Sequence, residues 1–235
     1  MNLLLFTDAD RIDRKQIRVT GKRLEQLRMV TGIAPGRELR VGEVDGLLGT
    51  ATLESLQDDA AVLSVKLGKP PPEKLPAILV LALPRPKMLR RILRSVAEFG
   101  IAECHLINSA RVEKSYWQTP VLDEETIQHY LLEGLAQGVD TVLPTVQQHK
   151  LFKPFVEDRL PQIVAGRRAL VAHPRARAPC PRDLPGETLI VVGPEGGFTD
   201  YELDKLTAAG CEAVGLGPRI LRVENAGSRL LGKLF

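Results

Sequence analysis

The segment Lys69-Pro70-Pro71-Pro72-Glu73-Lys74-Leu75-Pro76 constrains this chain more than any other. Four prolines in eight residues remove four backbone donors and lock φ, so the run can join neither a helix nor a central strand. A stiff, extended spacer is the expected outcome, dividing the chain into domains over residues 1–70 and 77–235. On its amino-terminal side, residues 38–44, 47–56 and 60–67 read as strands. The turn pairs Asp45-Gly46 and Asp58-Asp59 separate them, which predicts a compact antiparallel barrel.

Beyond the spacer the pattern changes to alternating units. Residues 77–83 form a continuous apolar run of buried-strand type, and 87–99 carry Leu89, Ile92, Leu93 and Val96 on one helical stripe. Residues 101–107 then read as a strand, 123–137 as a helix, 169–172 and 188–192 as strands, and 214–216 as a last short strand. Such alternation predicts a mostly parallel sheet covered by helices on both faces, so the second domain is α/β.

Bulk properties narrow the function. With 235 residues, 44% of them apolar, the chain can bury a sizeable core. The formal charge is only +3, yet Arg11, Arg14, Lys15, Arg18, Lys22, Arg23 and Arg28 face only Asp13 and Glu25 in their stretch, a density that suits a polyanion such as RNA. A solvated charged face is the plainer alternative. Cys104, Cys180 and Cys211 have neither C-x-x-C spacing nor histidines at ligand spacing, so neither a disulfide framework nor a metal site is expected. The apolar start at residues 1–6 is too short for a signal segment, and no later run reaches spanning length. No membrane association is expected, and a cytoplasmic location fits.

The chemistry concentrates in two segments. In the first, Thr188-Leu189-Ile190-Val191-Val192 runs into Gly193-Pro194-Glu195-Gly196-Gly197, and a capping box of Thr199 with Glu202 opens a helix ending at Gly210. Loops at the carboxyl ends of parallel strands are where open α/β sheets bind ligands. Glycines there let main-chain groups approach a flat ligand. The order G-P-E-G-G is neither a P-loop nor a dinucleotide fingerprint, so a phosphate cradle is not expected. In the second segment, Gly215-Leu216-Gly217-Pro218-Arg219-Ile220-Leu221-Arg222-Val223-Glu224-Asn225-Ala226, a strand ends in a Gly-Pro turn. An apolar pair, a guanidinium, a carboxylate and an amide follow as the terminal helix begins. Two such loops at neighbouring strand ends would form opposite walls of one pocket.

G-P-E-G-G-F-T followed about twenty residues later by L-G-P-R-I-L-R-x-E-x-A resembles the SPOUT superfamily, and within it the bacterial uridine-N3 methyltransferases of 16S ribosomal RNA. The resemblance extends more weakly over most of the chain. It implies an N-terminal PUA-like small β-barrel that binds RNA, plus a C-terminal SPOUT α/β domain with a trefoil knot. A homodimer acting on ribosomal RNA or the small ribosomal subunit is implied as well, with S-adenosyl-L-methionine as cofactor and no metal. Carried over position by position, the cofactor would lie among Ala172, His173 and Pro174, then Gly193, Pro194, Glu195, Gly196 and Gly197, then Leu216, Gly217, Ile220, Leu221, Arg222 and Ala226. His173 is included for its position and not for its imidazole chemistry.

Arg222 would stabilise the charge that develops on the uracil as N3 loses its proton. Glu224 either orients Arg222, the role favoured here, or accepts the proton. RNA contacts are assigned to Arg11, Arg14, Lys15, Arg18, Lys22 and Arg23. The chain departs from the family's R-T-E-T-A at Val223 and Asn225, and it has Asp140, Thr141 and Val142 where arginines are usual. The alternative reading is a divergent RNA-binding paralogue with another target or no catalytic activity. Tyr116 and Trp117 read as packing residues before they read as a base-stacking platform.

Overall fold

A computed structural model describes residues 2–235 and divides them into two compact units. The first comprises the residues up to Glu73 together with Ala97–Gly100 and Leu131–Leu143. Its sheet runs in the order β1-β3-β4-β5-β2, built from β1 (Leu4–Phe6), β2 (Gln16–Val19), β3 (Glu38–Glu43), β4 (Leu48–Leu56) and β5 (Ala61–Lys69). The last three of these match the expected strands closely. The pairing is not wholly antiparallel as expected, because β1 pairs with β3 in parallel. Strands β1 and β2 are only three and four residues long, too short for alternation to mark them in the sequence. Leu4, Phe6, Ile17, Val19, Val41, Leu53 and Leu63 close one core, with Leu24 and Leu27 of helix α1 (Gly21–Arg28).

Two buried residues explain how the later stretch is held in this unit. The carboxylate of Asp140 accepts the N–H groups of Thr141 (2.6 Å) and Val142 (3.1 Å). The hydroxyl of Thr141 donates to the carbonyl of Gly46 at 2.6 Å. The residues that stand in place of arginines here build a turn against the Asp45-Gly46 hairpin, and that is a structural task.

In the second unit all six strands are parallel, in the order β11-β9-β10-β6-β7-β8. They are β6 (Leu75–Ala82), β7 (Ile101–Ile107), β8 (Thr145–His149), β9 (Arg168–Ala172), β10 (Thr188–Val192) and β11 (Cys211–Val214). The central strands are strongly apolar, with every residue of β10 buried, as a sheet covered on both faces requires. This unit also holds α2 (Pro86–Glu98) as far as Val96, α3 (Glu124–Gly138) as far as Tyr130, and all of α4 (Phe152–Pro154), α5 (Leu160–Val164), α6 (Asp200–Ala208) and α7 (Val223–Leu234), with a π-helical turn over Phe155–Arg159. Strand β11 starts three residues upstream of its expected 214–216. Gly210 follows α6 with φ 99°, so the chain is extended again at once at Cys211.

Strand order reverses between β6 and β10. From there β6, β7 and β8 run to one edge, while β10, β9 and β11 run to the other. This is a topological switch point, the place where such sheets leave a crevice beyond their strand ends. The connection from β9 to β10 also holds the end of the chain. The N–H groups of Asp183 and Leu184 donate to the carbonyls of Lys233 and Leu234 in α7 (3.1 and 2.8 Å). Leu230 and Leu234 of that helix are fully buried.

Candidate cofactor and methyl-transfer site

Three loops leave the carboxyl ends of β9, β10 and β11 and line one cleft of about 1140 Å³. Ala172, His173 and Pro174 come from the first, Gly193, Pro194, Glu195, Gly196 and Gly197 from the second. Leu216, Gly217, Ile220, Leu221, Arg222, Glu224 and Ala226 come from the third and from the first turn of α7. Every residue assigned to the cofactor or to catalysis therefore meets in one place. The two glycine-containing segments do not follow neighbouring strands, however. Strand β9 lies between β10 and β11, and its own loop at residues 172–174 joins the other two.

Each loop is fixed by identifiable bonds. The N–H of Gly197, at φ 70°, donates to the carbonyl of Pro194 at 2.8 Å, a turn that needs the left-handed conformation glycine adopts without strain. Phe198 then buries its ring, and the expected capping box forms. Glu202 donates its N–H to the Thr199 hydroxyl (3.3 Å), while the Thr199 N–H donates to the Glu202 carboxylate at 2.8 Å. The third loop is pinned from α7, where Arg229 donates to the carbonyl of Leu216 at 2.9 Å. In the first loop the N–H of Arg175 donates to Nδ1 of His173 at 3.3 Å, which leaves the proton of the neutral ring on Nε2. Burial, reinforced by the neighbouring Arg175, holds the His173 pKa below its ordinary value, so the ring is neutral at pH 7.

Sequence patterns did not reveal Arg85, Met88 and Arg111, which line the same cleft from the segments after β6 and β7. The backbone N–H of Arg85 donates to Oε1 of Glu195 at 3.1 Å across the switch point. Arg111 donates through Nη1 to the carbonyl of Gly196 at 2.6 Å. The signal that could have found them is position, since both arginines follow the carboxyl end of a strand. Glycine content, which marks the other loops, is silent about them.

The wall formed by Leu216, Ile220 and Leu221 is apolar, and Ile220 is 86% exposed, so it presents a hydrophobic surface to the cleft. Arg222 is exposed at the N-cap of α7, and Glu224 is half-buried in the first turn of that helix; the two make no ion pair with each other. Val223, at the first helical position, is 5% exposed, so its side chain is buried between the exposed Arg222 and the half-buried Glu224. The arrangement suits a ligand that is flat and apolar on one part and polar on another. Glycine main chain would approach it from one side and aliphatic side chains from the other, with guanidinium groups at the rim.

The basic residues of the first unit are less free than the sequence suggests. Arg11 pairs with Glu43 (2.8 Å), Arg18 with Asp59 (3.3 Å) and Arg23 with Asp10 (2.5 Å). Arg14, Lys15 and Lys22 are exposed. Tyr116 and Trp117 are half-buried, and the indole N–H donates to Asn108 at 3.0 Å. Among the described residues no group of three or more His, Cys, Asp or Glu side chains is placed to hold a metal ion. Among them, too, no helix is long and apolar enough to cross a membrane.

Comparison with known proteins agrees with this geometry. The chain is 28% identical to ribosomal RNA small subunit methyltransferase E of Treponema pallidum, over 96% of this chain and 87% of that protein. It is 29% identical to the protein of the same name from Mycobacterium tuberculosis, over 86% of this chain and 79% of that one. The fold matches the crystal structure of ribosomal RNA small subunit methyltransferase E from Neisseria gonorrhoeae bound to S-adenosyl methionine. The TM-score is 0.73 at 18% identity, covering 97% of this chain and 94% of that one. The model of the RNA methyltransferase domain matches residues 71–234, which takes in all six parallel strands and all three loops of the cleft, and the chain therefore belongs to that RNA methyltransferase family.

Proposed function

We propose that this protein transfers a methyl group from S-adenosyl-L-methionine to N3 of a uridine in small-subunit ribosomal RNA. The observation that carries the reading is the convergence of the three strand-end loops on one cleft, with a guanidinium and a carboxylate at its edge. The relatives named for small-subunit ribosomal RNA methylation match over most of their length, which supports the same substrate class here.

The residues present fit the cofactor. Main-chain groups of Gly193 to Gly197, with Ala172 to Pro174, would hold its polar edges, and Leu216, Ile220 and Leu221 would cover its adenine. When bound it supplies a methyl group on a sulfonium, already activated for transfer. The chain's own residues must then deal with the acceptor. Uridine N3 carries a proton, and its departure leaves negative charge on the base. Arg222, exposed at the cleft and without an ion pair to Glu224, is assigned to stabilise that charge. The favoured expectation for Glu224 is to orient Arg222; with no ion pair between them, its carboxylate is assigned instead to take the N3 proton.

The first unit is read as a PUA-like barrel that binds RNA, with Arg14, Lys15 and Lys22 as its available cations. The second is read as a SPOUT domain whose trefoil knot would involve the β9 to β10 connection that grips α7. A homodimer acting in the cytoplasm without a metal completes the reading. The test is transfer of isotope-labelled methyl groups by the purified protein to small-subunit ribosomal RNA from cells lacking it, followed by mass mapping. One N3-methyluridine is expected. Methylation of another base, or none, would overturn the assignment.

A further inference from the structure

We infer that the outward face of α2 binds RNA backbone and continues the substrate surface from the mouth of the cleft. The inference rests on the RNA methyltransferase reading and adds a location to it. Helix α2 begins beside the cleft, whose lining includes Arg85 and Met88. Leu89, Ile92, Leu93 and Val96 bury one face of the helix in the second unit's core. Lys87, Arg90 and Arg91 stand exposed on the other.

From Arg85 to Ala97 the sequence holds five cations and no carboxylate, in a chain whose totals of 32 and 29 nearly balance. Lys87 lies three and four residues from Arg90 and Arg91, the spacing at which like charges repel across one helical turn. Among the described residues, none of these three side chains has a carboxylate partner. Arg94, next in the series, is engaged by the protein: its guanidinium lies over the Tyr130 ring at 4.5 Å and donates to the carbonyl of Arg90. Elsewhere surface cations of this chain do find carboxylates, as Arg11, Arg18, Arg23 and Arg28 show. Three adjacent cations that find none, on a helix starting at the substrate's entrance, are answered by a polyanion that enters there. Phosphate groups flanking the target nucleotide meet that description.

The test compares the full-length wild type with K87Q/R90Q/R91Q and with R14Q/K15Q/K22Q. Small-subunit ribosomal RNA from cells lacking the protein is the probe, titrated across a series of salt concentrations. Each phosphate deprived of its cation should flatten the slope of log affinity against log salt by about 0.7 to 0.9. The α2 variant is expected to lower the magnitude of that slope by roughly 2 and, at physiological salt, to bind RNA about tenfold or more weakly, with S-adenosylmethionine affinity unchanged. The N-terminal variant is expected to lose less. Wild-type RNA affinity and slope in the α2 variant would overturn the inference. Weakened cofactor binding would also overturn it, by placing these side chains in the cleft. If the wild type itself neither binds nor methylates the RNA, the functional reading fails, a result distinct from either.

Discussion

The guanidinium of Arg111 donates to the carbonyl oxygen of Gly196 at 2.6 Å, and the aliphatic part of the same side chain packs against that glycine. A Cβ built at Gly196 would sit 3.1 Å from Cδ and 3.2 Å from Cβ of Arg111. The glycine turn after β10 is thus clamped by the loop after β7, and residue 196 has little room for a side chain while the clamp is closed. Gly196→Val is expected to push Arg111 away and lower S-adenosylmethionine affinity by about tenfold or more, about 1.4 kcal/mol. Adding Arg111→Ala should recover part of the deficit. Calorimetric titration of the single and double variants checks both, and undiminished affinity in Gly196→Val would contradict the clamp.

Glu202 is 2% exposed and uses both carboxylate oxygens. One accepts the N–H of Ala110 at 2.7 Å, the other the N–H and hydroxyl of Thr199 at 2.8 and 3.0 Å. An amide at this position must turn a donor toward a donor. Glu202→Gln is therefore expected to destabilise the fold by about 2 kcal/mol, read as a lower urea midpoint at unchanged slope. An unchanged midpoint would show that these bonds contribute nothing net.

Arg222→Ala removes a side chain exposed at the cleft while leaving the loop's main chain in place. Cofactor affinity should stay within about threefold of wild type, whereas the rate of methyl transfer falls by about a hundredfold or more, the scale of removing one preorganised charge-stabilising donor. Single-turnover transfer measured beside calorimetry separates the two effects. Full turnover in Arg222→Ala would remove the residue from the chemistry.

His105 on β7 and His149 on β8 place Nδ1 and Nε2 3.0 Å apart, with Phe155 against both rings. Burial, and then the neighbouring positive groups, lower both pKa values to about 4. Glu103, 3.0 Å from the other nitrogen of His105, does not offset that burial. In the unfolded chain both rings titrate near 6.5, so between pH 6.5 and 4 the unfolded state binds more protons than the folded one. The contribution of the pair to stability is present in full above pH 6.5 and is lost as pH falls toward 4. Urea midpoints taken at pH 7, 5.5 and 4.5 should fall steadily, and less steeply in His149→Gln. A midpoint independent of pH over that window would contradict neutral rings.

Much of this architecture is written in residue patterns, for reasons that also explain what was hidden. Central strands β6 and β10 are nearly continuous apolar runs because both faces of the sheet are covered, and such runs are conspicuous. Edge strand β8, Thr-Val-Gln-Gln-His, is half-solvated and so carries no such mark. The cleft was legible where it is built of glycine main chain, because glycine clusters are rare and positional. Arg85 and Arg111 are tied to the glycine loop by hydrogen bonds between segments distant in sequence, a pairing that no local pattern encodes. The same holds for Arg11, Arg18 and Arg23, whose carboxylate partners are 13 to 41 residues away, so a stretch that reads as free positive charge is largely neutralised.

The functional reading depends on the proposal that the cleft lined by the loops after β9, β10 and β11 holds a methyl donor. Calorimetric titration of the full-length protein with S-adenosyl-L-methionine tests it most directly. One binding site per chain is expected, abolished or strongly weakened by Gly196→Val. A titration with no binding heat and no shift in thermal midpoint at saturating ligand would contradict it.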